Sequence, residues 1–254
     1  MNRRIRRLAF PILGLILGKI CLHAQVEETS AQTSSEGRFT LRLNGGYTTF
    51  QVDGIKGTYH EILQTYRDKN VNVQTQREFP GNLRLGLEAA YNISSAFSIG
   101  IDGYYTWTRA FSLYEDYSGT LDVNSKVRVL AFDFFVQNSF SDEGPWQPFA
   151  DARVGLALGW LEFTEDVRFK DVPALNGSSL LSAHGTGIST EGFLGMRYLV
   201  GDFSFSTQAG YRYGNISSPD GELTVNNQSQ ASGELALDIN FSGFVVLFSI
   251  GKSF

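Results

Sequence analysis

From Phe39 onward, apolar side chains recur at every second residue, and that period of two admits a strand and excludes a helix. In "FTLRLNGGYTTF" (39–50) one face carries Phe39, Leu41, Leu43, Gly45 and Tyr47, while the other carries Thr40, Arg42, Asn44, Gly46 and Thr48. The pattern returns in "NLRLGLEAAYNI" (82–93) and "FSIGIDGYYTW" (97–107), and again within 123–138, 148–163, 187–200, 203–214 and 233–254. The reading is eight strands.

The segments between them alternate in length. "SSA" (94–96), "SFSDEGPWQ" (139–147) and "GD" (201–202) are short, whereas 53–81, 114–122, 164–186 and 215–232 are long. Short turns on one side and long loops on the other predict an all-β fold: an eight-stranded antiparallel up-and-down transmembrane β-barrel with short periplasmic turns and long extracellular loops. A soluble barrel shares the alternation, and three features decide against it. The polar face is rich in Gly, Ser and Thr, which suits a narrow lumen. It carries five cations, Arg42, Arg84, Arg153, Arg197 and Arg212, against five anions, Glu88, Asp102, Asp133, Asp151 and Glu191. Enclosed charges are tolerated when they are paired, and an equal count is what a lumen network needs. Aromatics also gather at two levels on the apolar stripes. Tyr91, Phe97, Phe140, Trp146, Tyr198 and Phe203 lie toward the short turns, and Tyr47, Phe50, Trp107, Phe111, Trp160, Tyr211 and Tyr213 toward the long loops. Rings collect where hydrocarbon meets headgroups.

The start of the chain reads differently. Arg3, Arg4, Arg6 and Arg7 precede the apolar run "LAFPILGLILGKI" and then "CLHA", the layout of a secretory signal peptide over 1–24, with cleavage after Ala24 or, failing that, Ala31. Residues 25–37 read as a flexible periplasmic tail, and 38–254 as the barrel. Cleavage removes Cys21 and five of the 21 Lys and Arg residues, leaving 16 cations against 26 anions, a net −10. A chain so acidic is no partner for nucleic acid, and one without a thiol forms no disulfide.

With "PFADARVGLALGW" (148–160), "EGFLGMRYLVGDFSFSTQAGYRYG" (191–214) and the closing "FVVLFSIGKSF" on the page, the chain resembles the small outer-membrane barrels of the OmpA transmembrane domain and OmpW-like group. The resemblance covers 38–254. It implies both termini in the periplasm, outer-membrane lipid and lipopolysaccharide as surroundings, and a C-terminal assembly signal read by the barrel-insertion machinery. Phe244, Val246, Phe248, Ile250 and Phe254 match that signal, and Lys252 departs from it.

No cofactor or metal site is read from the sequence. His60 and His184 are the only histidines beyond the signal, and both fall in expected loops. "SAHGTGIS" places His184 five residues before Ser189, which raises a lipid A hydrolase. The reading preferred is no enzyme: a structural or surface-display barrel whose lumen is closed by paired charges. A narrow passive channel is second, helped by the inward Phe135, Leu161, Phe193, Val245 and Leu247, and the hydrolase is third. Loop 53–81, with a short helix in "TYHEILQTYRDK", is the expected contact for an unidentified extracellular ligand.

Overall fold

The structure, a computed structural model, describes residues 37–68, 71, 73–116, 119–141, 144–170, 176–217, 219–226, 228–234 and 238–254. The expected signal peptide and all but the last residue of the expected tail lie outside the described residues. Eight long strands form a ring: β1 (Phe39–Thr48), β3 (Asn82–Asn92), β4 (Phe97–Asp116), β5 (Gly119–Ser139), β6 (Trp146–Phe169), β7 (Gly177–Val200), β8 (Phe203–Ile216) and β12 (Gly243–Ser253). Each pairs antiparallel with the next, and β12 pairs back onto β1, so that part of the sheet has no edge.

The register fixes the shape. Stepping from Thr48 through its partners Val245, Gly210, Phe193, Asp151, Gln137, Ser98 and Asn92 ends at Arg38, ten residues from the start. A stagger of that size on eight strands goes with a strand tilt of roughly 35–45°. Gly201 carries the turn between β7 and β8 at φ +59, a conformation glycine adopts without cost.

Parity then sorts the side chains. Leu41, Leu43, Leu85, Leu87, Ile101, Phe132, Phe134, Leu156, Leu194, Phe248 and Ile250 all face outward and are exposed, which makes an apolar belt. On β12 the belt runs from Phe254 to Phe244, and ten residues at that tilt rise about 25 Å, the height of a hydrocarbon layer. Inward, large side chains lie over glycines of the neighbouring strand. The rings of Phe135, Phe149 and Phe193 stand 2.6, 2.4 and 2.6 Å from where a Cβ on Gly100, Gly195 and Gly210 would sit. Alternating large and absent side chains fill a narrow lumen.

On the loop side the fold departs from the reading by alternation. The expected loop 114–122 is a continuing hairpin, with Asp116 paired to Gly119, and 164–186 is largely strand, since β6 reaches Phe169 and β7 begins at Gly177. Within 215–232 lie β9 (Asp220–Val225), which pairs with β7, and most of β10 (Gln228–Glu234). The closing strand begins at Gly243 and not at 233. The short β2 (Gln74–Arg77) pairs with β4, and β11 (Ile239–Asn240) with β8. The cause is a second core. Helix α1 (Asp53–Arg67) presents Ile55, Tyr59 and Leu63 at a spacing of four, one stripe of its surface. All three are buried with Phe50, Val52, Leu121, Val123, Val127, Phe163, Val167 and Phe241. Inward apolar residues therefore continue above the belt, while Asp122, Asn124, Glu162 and Asp166 occupy the outward positions. Phe50, read as an interface aromatic, is one of these buried residues.

The Tyr59 hydroxyl donates to Ser112 Oγ at 2.5 Å, and the Tyr66 hydroxyl donates to Glu165. Burial pushes both phenols above the usual tyrosine range, and for Tyr66 the Glu165 carboxylate adds to the push. The folded state thus favours the neutral phenols. Their contribution to helix docking is complete below the ordinary tyrosine pKa of about 10 and is lost as pH rises through the elevated values. Near-ultraviolet circular dichroism in micelles should show an alkaline step above that pH with strand content retained. Tyr59→Phe/Tyr66→Phe should remove the step.

Candidate functional site

All ten charges assigned to the inner face are buried there. Register sets seven of them in two rows. Arg42, Glu88, Asp102 and Asp133 are successive partners across β1, β3, β4 and β5, and Arg153, Glu191 and Arg212 are successive partners across β6, β7 and β8. Arg153 is the hub. Its Nη1 donates to Asp102 at 2.6 Å, and its Nη2 donates to Asp151 at 2.6 Å and to Glu88 at 3.1 Å. Arg42 donates to Glu88 as well. Arg84 extends the chain from Asp102, at 2.8 Å, to Glu191, at 2.6 Å. Asn44 Nδ2 donates to the other Asp102 oxygen at 3.1 Å.

Three of the ten stand apart from the ion pairs. Arg197 donates to Gln137 and lies 5.4 Å from the Phe149 ring centre. Arg212 donates through Nε to the Phe241 carbonyl at 2.8 Å and faces the rings of Phe241, Phe50 and Tyr104 at 5.2, 5.3 and 5.8 Å. Asp133 has no hydrogen-bond partner for either oxygen among the described residues, and it is directly opposite Asp102.

Aromatic rings complete the lining. Arg84 stacks 3.5 Å from the Tyr104 ring centre, and Arg153 lies 5.0 and 5.3 Å from Phe193 and Phe135. Such contacts stabilise a desolvated guanidinium by about 2 kcal/mol. Counting charges alone overlooks Tyr104, Asn44 and Gln137, although the same parity places them inside. Phe135, Leu161, Phe193, Val245 and Leu247 also point inward and are buried.

His184 and Ser189 do not form a site. Five residues apart on one strand, they point to opposite faces. Ser189 is fully buried against the Tyr104 hydroxyl at 3.1 Å, whereas His184 faces outward. His60 lies on the surface of α1, 3.3 Å from Glu78. No group of three or more His, Cys, Asp or Glu placed to hold a metal occurs among the described residues.

At the chain end Phe244, Val246, Phe248, Ile250 and Phe254 are exposed on the outer face, and the Phe254 amide donates to the Phe39 carbonyl at 2.8 Å. Lys252, the departure from that pattern, rests between aromatics, 5.2 Å from the Phe254 ring centre and 5.8 Å from that of Phe203.

No protein-family model matches the chain, and no curated protein matches it. Among solved structures it is similar to the outer membrane protein OprG from Pseudomonas aeruginosa, at 16% identity over 86% of this chain and 96% of that one, TM-score 0.43. Neisserial surface protein A aligns at 15% identity over 88% and 100%, TM-score 0.35, and the outer membrane protease OmpT from Escherichia coli at 9% over 89% and 99%, TM-score 0.36. The closed ring, the apolar outer belt and the buried ion pairs together make the fold that of a small eight-stranded outer-membrane β-barrel.

Proposed function

We propose that this chain is an integral protein of the bacterial outer membrane, with both termini periplasmic, and that its role is structural or surface display through a barrel that does not conduct. The observation that carries the reading is the double filling of the lumen. Ion pairs centred on Arg153 occupy the lower part, and helix α1 with its apolar cluster occupies the part toward the long connections. In this reading residues 1–24 are the signal peptide, and the outward stripe ending at Phe254 is the signal for barrel assembly. Loop 53–81 puts most of its apolar residues into the plug: Ile55, Tyr59, Leu63, Val73 and Phe79 are buried. The remaining surface of α1 is what the loop offers a partner outside.

A charge-paired lumen makes a graded demand on its members. Removing one partner of a buried pair costs about 3–5 kcal/mol, because the other charge is left enclosed without compensation. Arg153→Met strands Asp151, whose ion-pair partner among the described residues is Arg153, and takes one cation each from Glu88 and Asp102, which keep Arg42 and Arg84, so urea titration of the refolded protein should show a loss of about that size. Asp133→Asn removes a carboxylate that has no hydrogen-bond partner, and it should leave stability unchanged or raise it.

Conductance tests the closed state. In planar bilayers the wild-type protein should give no steady single-channel steps. A variant lacking residues 53–73 should stay closed, because the ion-paired layer remains, and Arg153→Met in that background should open it. Steady steps from the wild-type protein would favour the passive-channel reading instead.

A further inference from the structure

The outer face of the barrel changes character just past its apolar belt on the loop side, and the change is confined to a few strands. Outward residues on β4 run Ile101, Gly103, Tyr105, Trp107 and then Arg109; on β5 they run Phe134, Phe132, Leu130 and then Arg128 and Lys126. Across the strands, Trp107, Arg128, Trp160, His184 and Asp220 are successive partners on β4, β5, β6, β7 and β9. In the next row Arg109 is directly opposite Lys126, and Lys126 is opposite Glu162. Like charges face to face across a strand pair are destabilising. Neither cation has an ion-pair partner among the described residues, since Glu162 is taken by Arg128. Asn124 accepts from Arg109 Nε at 2.8 Å, and the exposed guanidinium lies 5.1 Å from the Phe111 ring centre. Asp122 feels Arg109 through space but forms no ion pair with it.

Two strands away the wall has a hollow. β7 pairs with β8 up to Ile188 and with β9 from His184, so 185–187 lie at the fork. The opening has a volume of about 290 Å³ and is lined by Leu158, Trp160, His184, Thr186, Ser217 and Asp220. An indole beside an acid, an imidazole and hydroxyls suits a sugar ring, with its apolar face on Trp160 and its hydroxyl groups on Asp220, His184 and Ser217. The cation pair and the hollow are roughly 10 Å apart at ordinary strand spacing.

We propose that this face binds the headgroup of a phosphorylated glycolipid of the surrounding leaflet, with phosphate on Arg109 and Lys126 and sugar at the Trp160–His184–Asp220 hollow. The inference rests on the reading of the chain as a membrane barrel. The position favours a lipid over a free solute, because Trp107 and Trp160 stand at the edge of the apolar belt, in the row next to the cation pair. Acyl chains would lie along the belt beneath.

The full chain, refolded in micelles, is titrated with a bisphosphorylated glucosamine lipid (lipid A), with the same lipid stripped of phosphate, with phosphatidylglycerol and with inorganic phosphate, and binding is followed by tryptophan fluorescence. The expected result is preference for the phosphorylated glycolipid. Arg109→Gln/Lys126→Gln should weaken it by about 25-fold, on the order of fivefold per charge removed. Trp160→Leu should weaken the phosphorylated and stripped glycolipids alike. Retention of the folded, heat-modifiable band keeps each variant interpretable. Undiminished affinity of the double variant overturns the proposal. So does equally tight phosphatidylglycerol, which would mean a general surface field, or an identical response to inorganic phosphate, which would mean an adventitious ion only. A chain that gives no heat-modifiable band in any lipid would sink the barrel reading itself, whereas one that inserts without this preference sinks the glycolipid site alone.

Discussion

Pairing of β12 with β1 is the contact on which the rest of the structure depends. In hydrocarbon an unpaired strand edge leaves a row of backbone donors and acceptors without water, each costing several kcal/mol, so the sheet must close. Closure at a stagger of ten residues determines which side chains meet inside. It sets Arg42 beside Glu88, and Arg153 beside Glu191, before any side chain chooses a partner. The seam itself is tight. A Cβ on Gly46 would sit 1.9 Å from the Val246 carbonyl oxygen, so even alanine there would push against the backbone of the closing strand.

The enclosed space has two different fillings, and the same physics explains both. Where the outer surface is apolar, the lumen is polar and its charges are paired and stacked on rings, as burial demands. Above the belt the outer surface is polar, and the interior returns to the ordinary arrangement of a soluble domain, an amphipathic helix against apolar strands. β5 spans both regimes: its inward residues run Gln137, Phe135 and Asp133 below, then Ala131, Val129, Val127, Val123 and Leu121 above. One strand is therefore inside-out in its lower half and conventional in its upper half.

That switch accounts for what could and could not be read from the sequence. Parity puts Arg42, Glu88, Asp102 and the seven other charges on one face of their strands, and all ten side chains are buried, because a period of two leaves no freedom once one residue of a strand is assigned. Which of them pair was not legible, since pairing depends on stagger, and stagger comes from the sum of all the registers. Residues 114–122 and 164–186 read as loops because Asp122, Asp166 and Arg168 look like turn residues when belt-type alternation is the template. Their inward neighbours Leu121, Val123 and Val167 carried the strand signal, and it became decisive only with α1 packed against them. Phe50 misled for a related reason. At the end of β1 a ring serves equally as an interface anchor or as a lid over Arg212, and the fold uses it as the lid. β10, "QSQASGE", has no alternation to detect.

The two rims of the belt treat their cations differently. On the turn side Arg38 lies 3.6 Å from Asp202, and Lys252 rests between Phe203 and Phe254, so each has compensation within the chain. On the loop side Arg109 faces Lys126 and the neighbouring Glu162 is committed to Arg128, so Arg109 has the Asn124 amide oxygen and the Phe111 ring beside it but, among the described residues, no acid in ion-pair contact. Exposed charges in water tolerate such an arrangement at small cost, because solvent screens them within about 10 Å. Beside a hydrocarbon surface the screening is weaker, and like charges held opposite each other on a rigid sheet cannot move apart. An anion supplied from outside the chain, as the glycolipid proposal has it, would relieve that pair in the row next to Trp107 and Trp160. The asymmetry follows from register: a shift of β4 against β5 by two residues would relieve Arg109 of Lys126, but it would also carry Asp102, with Glu88 still opposite it, away from Arg153. The ion pairs inside thus hold in place the facing cations outside.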